Sequence, residues 1–218
     1  ALTVALLSKM SAEMYKKYID ARRTKIDKRD FLMELVHFFR DLIVKSSFPS
    51  SWFHMFCLQN KVTLKTMEFV ISTMNEHFQL ENFDVNLWRE CVLTMVAFST
   101  QKGLQIGSPF ISSRRSKLLS AQPDLRKKAA LDLRSMWFSL SPKNRNMNIP
   151  SLIGSFLQVA LIDDDVVCET VMSIFFDMME CEFNSSTPKG FPNFASAMIV
   201  QLDCLVDEDR GGQRFREQ

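Results

Sequence analysis

Three sets of residues in this chain carry groups that could do chemistry: the histidines His37, His54 and His77, five cysteines, and the run Asp163-Asp164-Asp165. A zinc hydrolase sets two histidines four residues apart on one helix face with a glutamate between them. These three stand far apart, in separate predicted helices, and no such pairing occurs. The aspartate run has acidic oxygens for a cation, but an EF-hand loop needs alternating ligands, a central glycine and a distal glutamate, none of which follows in register. The run is therefore expected to cap a helix and complement its dipole. Cys57, Cys91, Cys168, Cys181 and Cys204 fall singly in apolar periodic stretches without a CxxC pair. They read as reduced core residues of a reducing compartment. That setting also argues against use of the sequon at Asn184-Ser185-Ser186.

Nucleotide chemistry has no foothold either. Gly211-Gly212 is the only glycine pair, and neither a P-loop nor a dinucleotide fingerprint nor a GxSxG nucleophile elbow is present. No catalytic, cofactor-binding or metal-ligating residue is expected, and the segment is not expected to be an enzyme. The densest charge is basic: Arg114, Arg115, Lys117, Arg126, Lys127 and Lys128. They form a candidate interaction surface, a solvated face in the plain reading and a dock for an acidic partner or phosphoinositide headgroups in the sharper one. No aromatics are interleaved with them, and 27 basic against 25 acidic residues leave a formal charge of only +2, so nucleic acid is excluded as a partner.

These groups sit on a helical pattern. Val4, Leu7, Met10, Met14 and Tyr18 recur at three- and four-residue steps and predict one helix over 2–19. A basic connector, 21–28, leads to Asp30 as the expected N-cap of a helix carrying Phe31, Leu35, Phe39 and Leu42, which stops before Pro49. Trp52 to Phe78 predicts a short helix and a longer one, broken at Gln59-Asn60. Asp84 is expected to cap the next, which ends near Gly103, where a left-handed residue is cheap. The stretch 103–113 is a predicted loop. Asp124 opens a helix closed by Pro142, a polar loop covers 143–148, and Pro150 is placed at the first turn of the following helix. Asp163 to Asp165 begin another, and 194–206 form the last.

β-Branched residues occur at helical steps and hairpin dipeptides are missing, so the fold class is all-α. Helices joined by short turns predict an armadillo- or HEAT-like stack of antiparallel pairs, an α-solenoid. The expected organisation is an N-terminal helix and basic connector over 1–29, a helical repeat domain over 30–206, and an acidic, glycine-containing linker over 207–218. Both ends look cut from a longer polypeptide, and no apolar run is long enough to cross a bilayer.

Several stretches resemble the DOCK (dedicator of cytokinesis) family. Phe39-Arg40-Asp41-Leu42-Ile43 with Pro49 and Trp52 is similar to its FRDL segment, and Gln59-Asn60-Lys61-Val62 with Leu64 to its QNKVFL. Asn82-Phe83 with Leu87-Trp88, then Val96-Ala97-Phe98 with Thr100-Gln101 and Leu104-Gln105, continue the match. Ser112-Ser113 with Lys117-Leu118-Leu119, Asp132 to Trp137, and Ile149-Pro150 extend it. Its longest word is Ile174-Phe175-Phe176-Asp177-Met178-Met179-Glu180-Cys181-Glu182-Phe183. Gln122-Pro123-Asp124 departs from a family Tyr-Gly-Asp turn and implies a divergent member.

The resemblance implies a non-catalytic scaffold between a lipid-binding C2-like domain and an exchange domain that lies outside these residues. The intact protein would release GDP from a Rho-family GTPase, with Rac favoured, in cytoskeletal signalling and cell migration. Implied partners are the other domains of the same chain, that GTPase through the exchange domain, regulatory adaptor proteins and phosphoinositide membrane. The implied location is the cytoplasm, with recruitment to the plasma membrane. The alternative reading is a protein- or phosphoinositide-docking module that uses the basic 114–128 region.

Overall fold

The computed structural model describes residues 2–45, 48, 52–78, 83–105 and 123–207. Among them every regular element is a helix, as the periodicity predicts. The chain divides into two compact units, 1–125 and 126–218.

The first unit holds α1 (Leu2–Lys9), α2 (Ala12–Asp20), α3 (Lys25–Val44), α4 (Phe53–His77) and α5 (Val85–Ser99), followed by a 3-10 turn, Lys102–Leu104. The single helix expected over 2–19 is two. Ser11 interrupts it, its hydroxyl accepting from the Met14 amide at 3.3 Å. An N-cap of this kind satisfies an orphan donor and resets the helical phase. The inward face after the break is therefore Tyr15 and Ile19, while Met14 and Tyr18 of the predicted stripe are exposed. The Tyr15 ring stacks on Phe69 at 4.3 Å and its hydroxyl meets Thr66 Oγ1 at 3.0 Å. The Thr66 hydroxyl donates to the Val62 carbonyl, so Tyr15 is the donor of that pair. These contacts tie α2 to α4.

The N-cap of α3 lies six residues before the expected Asp30. It is Thr24, accepting from the Asp27 amide at 3.0 Å, and Asp30 lies inside the helix bonded to Arg29. The second half of the basic connector is thus the first turn of α3, and the expected division at 29/30 falls within a helix. Leu32, Val36 and Phe39 bury one face of it, α3 packs on α5, and α5 in turn buries Leu87, Trp88, Cys91 and Met95. Fully burying side chains of this size stabilises by about 1.5–3 kcal/mol each. At the start of α5, Asp84 caps as predicted, accepting from the Leu87 amide at 2.9 Å.

The second unit holds α6 (Leu125–Phe138, entering it at Arg126), α7 (Pro142–Ala160), α8 (Asp165–Ser185) and α9 (Pro192–Asp207). The polar loop expected at 143–148 is helical, because Pro142 is the first residue of α7 rather than the stop of α6. Ser141 caps that helix by accepting from the Asn144 amide, and Pro150 lies inside it on the exposed side. A proline has no N–H to donate, so the Asn146 carbonyl loses its helical partner there. Helices α7 and α8 are joined by a turn of four residues and pack together, as neighbours in a helical hairpin do. Helix α9 also lies against α7, at a close approach where a Cβ on Gly154 would collide with the Gln201 side chain.

Candidate functional site

No group of three or more acidic, cysteine or histidine side chains that could hold a metal ion forms among the described residues. His54 and His77 share α4 but stand at opposite ends of it, and His37 on α3 faces Glu90 at 3.7 Å beside Arg40. The cysteines are unpaired, and Cys91 is wholly buried, which raises its thiol pKa above the ordinary value, with Glu90 adding to the rise. Cys204 departs from the predicted core setting and is exposed. The aspartate run caps as its spacing predicts: Asp164 accepts from the Val167 amide at 3.2 Å. No described helix is long and apolar enough to cross a membrane.

Of the six basic residues in the candidate surface, Arg114, Arg115 and Lys117 lie outside the described residues. Arg126 is 3% exposed and sits 4.0 Å from Asp164, so its charge faces the interior. Lys127 bridges the same carboxylate at 3.2 Å, and Lys128 is exposed. The cluster read from sequence thus divides: Arg126 holds the α8 cap, and Lys128 faces solvent.

What the fold does bring together are two buried polar nodes. In the first unit, the predicted break at Gln59-Asn60 is absent, and α4 runs unbroken for 25 residues. Both side-chain nitrogens are bonded, while the buried Gln59 Oε1 has no hydrogen-bond partner among the described residues. Gln59 Nε2 donates to the Leu42 carbonyl at 3.1 Å, fastening α4 to the end of α3. Asn60 Nδ2 donates to Phe56, and its Oδ1 accepts from Gln101 Nε2 at 2.9 Å, fastening α4 to the end of α5. Gln101 donates also to the Phe98 carbonyl, and Gln105 closes the 3-10 turn on Ser99 and Gln101. Gly103 sits in that turn for want of space rather than for a left-handed backbone, since a Cβ would meet the Phe56 ring at 2.5 Å.

The node of the second unit is charged. Asp177 on α8 accepts from Trp137 Nε1 of α6 at 2.7 Å and from Arg145 Nη1 of α7 at 2.8 Å. Arg145 donates further to the Leu140 and Phe138 carbonyls, which satisfies the frayed end of α6. One guanidinium thus joins three helices. The Cys181 thiol lies 3.6 Å from Asp177, and burial first, then that carboxylate, raise its pKa. One turn on, Glu182 is 6% exposed and its carboxylate accepts the Asn193 and Phe194 amides, both at 2.8 Å, at the start of α9. An anion at that position is favoured by the helix dipole. Sequence reasoning missed Arg145, because a residue assigned to a polar loop gives no sign that it turns inward.

The family words lie on these nodes: Gln59-Asn60 and Gln101 on the first, Trp137, Asp177 and Glu182 on the second. The chain matches, over residues 1–218, the family model described as the dedicator of cytokinesis (DOCK) TPR region. It is 32% identical over 217 residues to human dedicator of cytokinesis protein 4, and equally so to the mouse protein of that name, covering 100% of this chain and 11% of each relative. Mouse dedicator of cytokinesis protein 3 is 29% identical over 214 residues, 98% of this chain and 10% of that protein. The chain therefore spans about a tenth of the length of these relatives. A TPR region is built of helix pairs, so the expected all-α solenoid of stacked helix pairs holds. A chain whose buried ties coincide with the family's words, and whose whole length fits the family model, belongs to the DOCK family and corresponds to its TPR region.

Proposed function

We propose that this chain is a non-catalytic helical scaffold of a DOCK-type guanine-nucleotide exchange factor for a Rho-family GTPase, with Rac the favoured substrate. It holds the spacing between membrane-binding and exchange domains elsewhere in the polypeptide, and residues 207–218 serve as the linker toward the exchange domain. The intact protein acts in the cytoplasm and is recruited to the plasma membrane, in pathways that reshape the actin cytoskeleton. The observation that carries this reading is the coincidence of family words with inter-helix ties. The polar groups that would serve a reactive site, Asp177, Glu182 and Arg145, are instead consumed in fastening helices.

A docking role for the basic region would rest on Arg114, Arg115, Lys117 and Lys128, since Arg126 is buried against Asp164. The scaffold reading is the better supported. Its test is to add the chain, at rising concentration, to Rac loaded with a fluorescent GDP. The expected release is the spontaneous rate at every concentration; acceleration proportional to the chain added would overturn the reading.

A further inference from the structure

The outer face of α8 is apolar where a solvent face should be polar. Met172, Phe176 and Phe183 are 40%, 63% and 44% exposed, and with the half-buried Met179 they follow one another at steps of four, three and four residues. That is the spacing of a single helical stripe. Phe176 adjoins Phe175, which is 3% exposed in the core against Phe194, so the two neighbouring rings look in different directions and only one of them is needed for packing. Exposed residues of this size in one row mark an interaction site more often than a scattered surface leucine does.

The charge around the stripe chooses the occupant. Helix α8 contains Asp165, Glu169, Asp177, Glu180 and Glu182 and no lysine, arginine or histidine, and α9 contains Asp203 and Asp207 and no base. Asp177 is matched by Arg145 and Glu182 by the α9 amides, which leaves Glu169 and Glu180 exposed beside the stripe. Neither makes an ion pair among the described residues. The flanking bases are spent: Arg134 on α6 donates to Ser173 at 3.0 Å and lies over Phe138, and Lys189 beyond the end of α8 lies over the Phe183 ring at 5.5 Å. A chain with a formal charge of +2 thus gathers an acidic, apolar strip on one helix.

We propose that this face docks a basic amphipathic helix of a partner protein, the apolar side of that helix lying on Met172, Phe176 and Phe183 and its lysines or arginines meeting Glu169 and Glu180. Complementary charge steers and orients such an encounter, while the buried aromatic anchors supply the affinity. An anionic membrane is disfavoured by the same carboxylates. The inference goes beyond the scaffold role, and stands or falls separately from it, because its readout is binding and not nucleotide exchange.

The test uses the 218-residue chain and a labelled 18-residue Leu/Lys amphipathic helix, with a Leu/Glu helix of the same pattern and phosphatidylserine vesicles as comparisons. Fluorescence anisotropy should show saturable binding of the Leu/Lys helix alone. Phe176→Ser removes the anchor but keeps the charge, and Glu169→Lys with Glu180→Lys reverses the charge but keeps the anchor; each should weaken binding by about tenfold or more. All three positions are exposed, so far-UV circular dichroism and the melting temperature should match the wild type. Binding of the Leu/Lys helix that survives either variant would overturn the proposal. So would preference for the Leu/Glu helix or for the vesicles, or Phe176-dependent self-association in sedimentation velocity.

Discussion

The two units solve one problem, fixing helix against helix, with different chemistry. The buried node of the first, set beside a more exposed Arg40–Glu90 pair, uses neutral amides: Gln59, Asn60 and Gln101 bond to carbonyls and, in the case of Asn60 and Gln101, to each other. The second uses ions: Asp177 and Arg145, 14% and 16% exposed in their side chains, join α6, α7 and α8. A buried ion pair adds little over an apolar pair of the same shape, yet leaves an uncompensated charge when one partner is lost. An amide that loses its partner leaves a dipole, a smaller debt. The second unit should therefore be the more brittle to single substitutions, although its intact stability need not be greater.

Five experiments can break or sharpen that contrast. The largest effect is expected for Asp177→Ala, which strands Arg145 and the Trp137 N–H together; a loss of about 3–5 kcal/mol should appear in urea unfolding of the chain. Because the cost arises from the stranded guanidinium, Asp177→Ala combined with Arg145→Met should recover part of it. A double variant no better than the single one would show that Asp177 acts through Trp137 alone. Next, Glu182→Ala removes the cap of α9 and should cost about 1–2 kcal/mol, seen as early loss of protection of the α9 amides in hydrogen exchange.

Asn60→Ala, in the neutral node, should cost about 1 kcal/mol and leave the ends of α3 and α5 looser but folded. A loss equal to that of Asp177→Ala would remove the distinction between the nodes. Smallest of all is Lys127→Ala, whose 41% exposed side chain leaves its bridge to Asp164 screened by solvent, so the melting temperature should hardly move. Thiol labelling separates the units in another way. Exposed Cys204 of α9 should react first with a maleimide, and Cys91, buried in the first unit with its pKa raised, should react only on unfolding.

Much of this was legible from residues alone, and the misses share a cause. Helix class, the Asp84 and Asp164 caps and the last helix followed from spacing and local hydrogen bonding, which act within a turn of chain. Where tertiary partners decide, local reading failed. Gln59-Asn60 looked like a break because two adjacent amides interrupt the apolar pattern, and the Leu42 carbonyl and Gln101 that bond them are distant in sequence. The loop at 143–148 was predicted because Pro142 reads equally well as the end of one helix or the first residue of the next, and Ser141 before it decides for the second. Arg126 was assigned to a basic surface because charge counts do not reveal that Asp164 folds over it. The candidate interaction stripe on α8 was hidden for the opposite reason, since Phe175 and Phe176 are alike in type and only packing separates the buried ring from the exposed one.

The central claim is that these ties exist to hold a scaffold at a set spacing from an exchange domain. The most direct measurement compares the rate of GDP release from Rac by the proposed exchange domain alone with the rate when it is joined to this chain. The account predicts that the two rates differ and that Asp177→Ala, below its melting temperature, moves the joined protein toward the isolated domain. Equal rates, unaffected by Asp177→Ala, would contradict it.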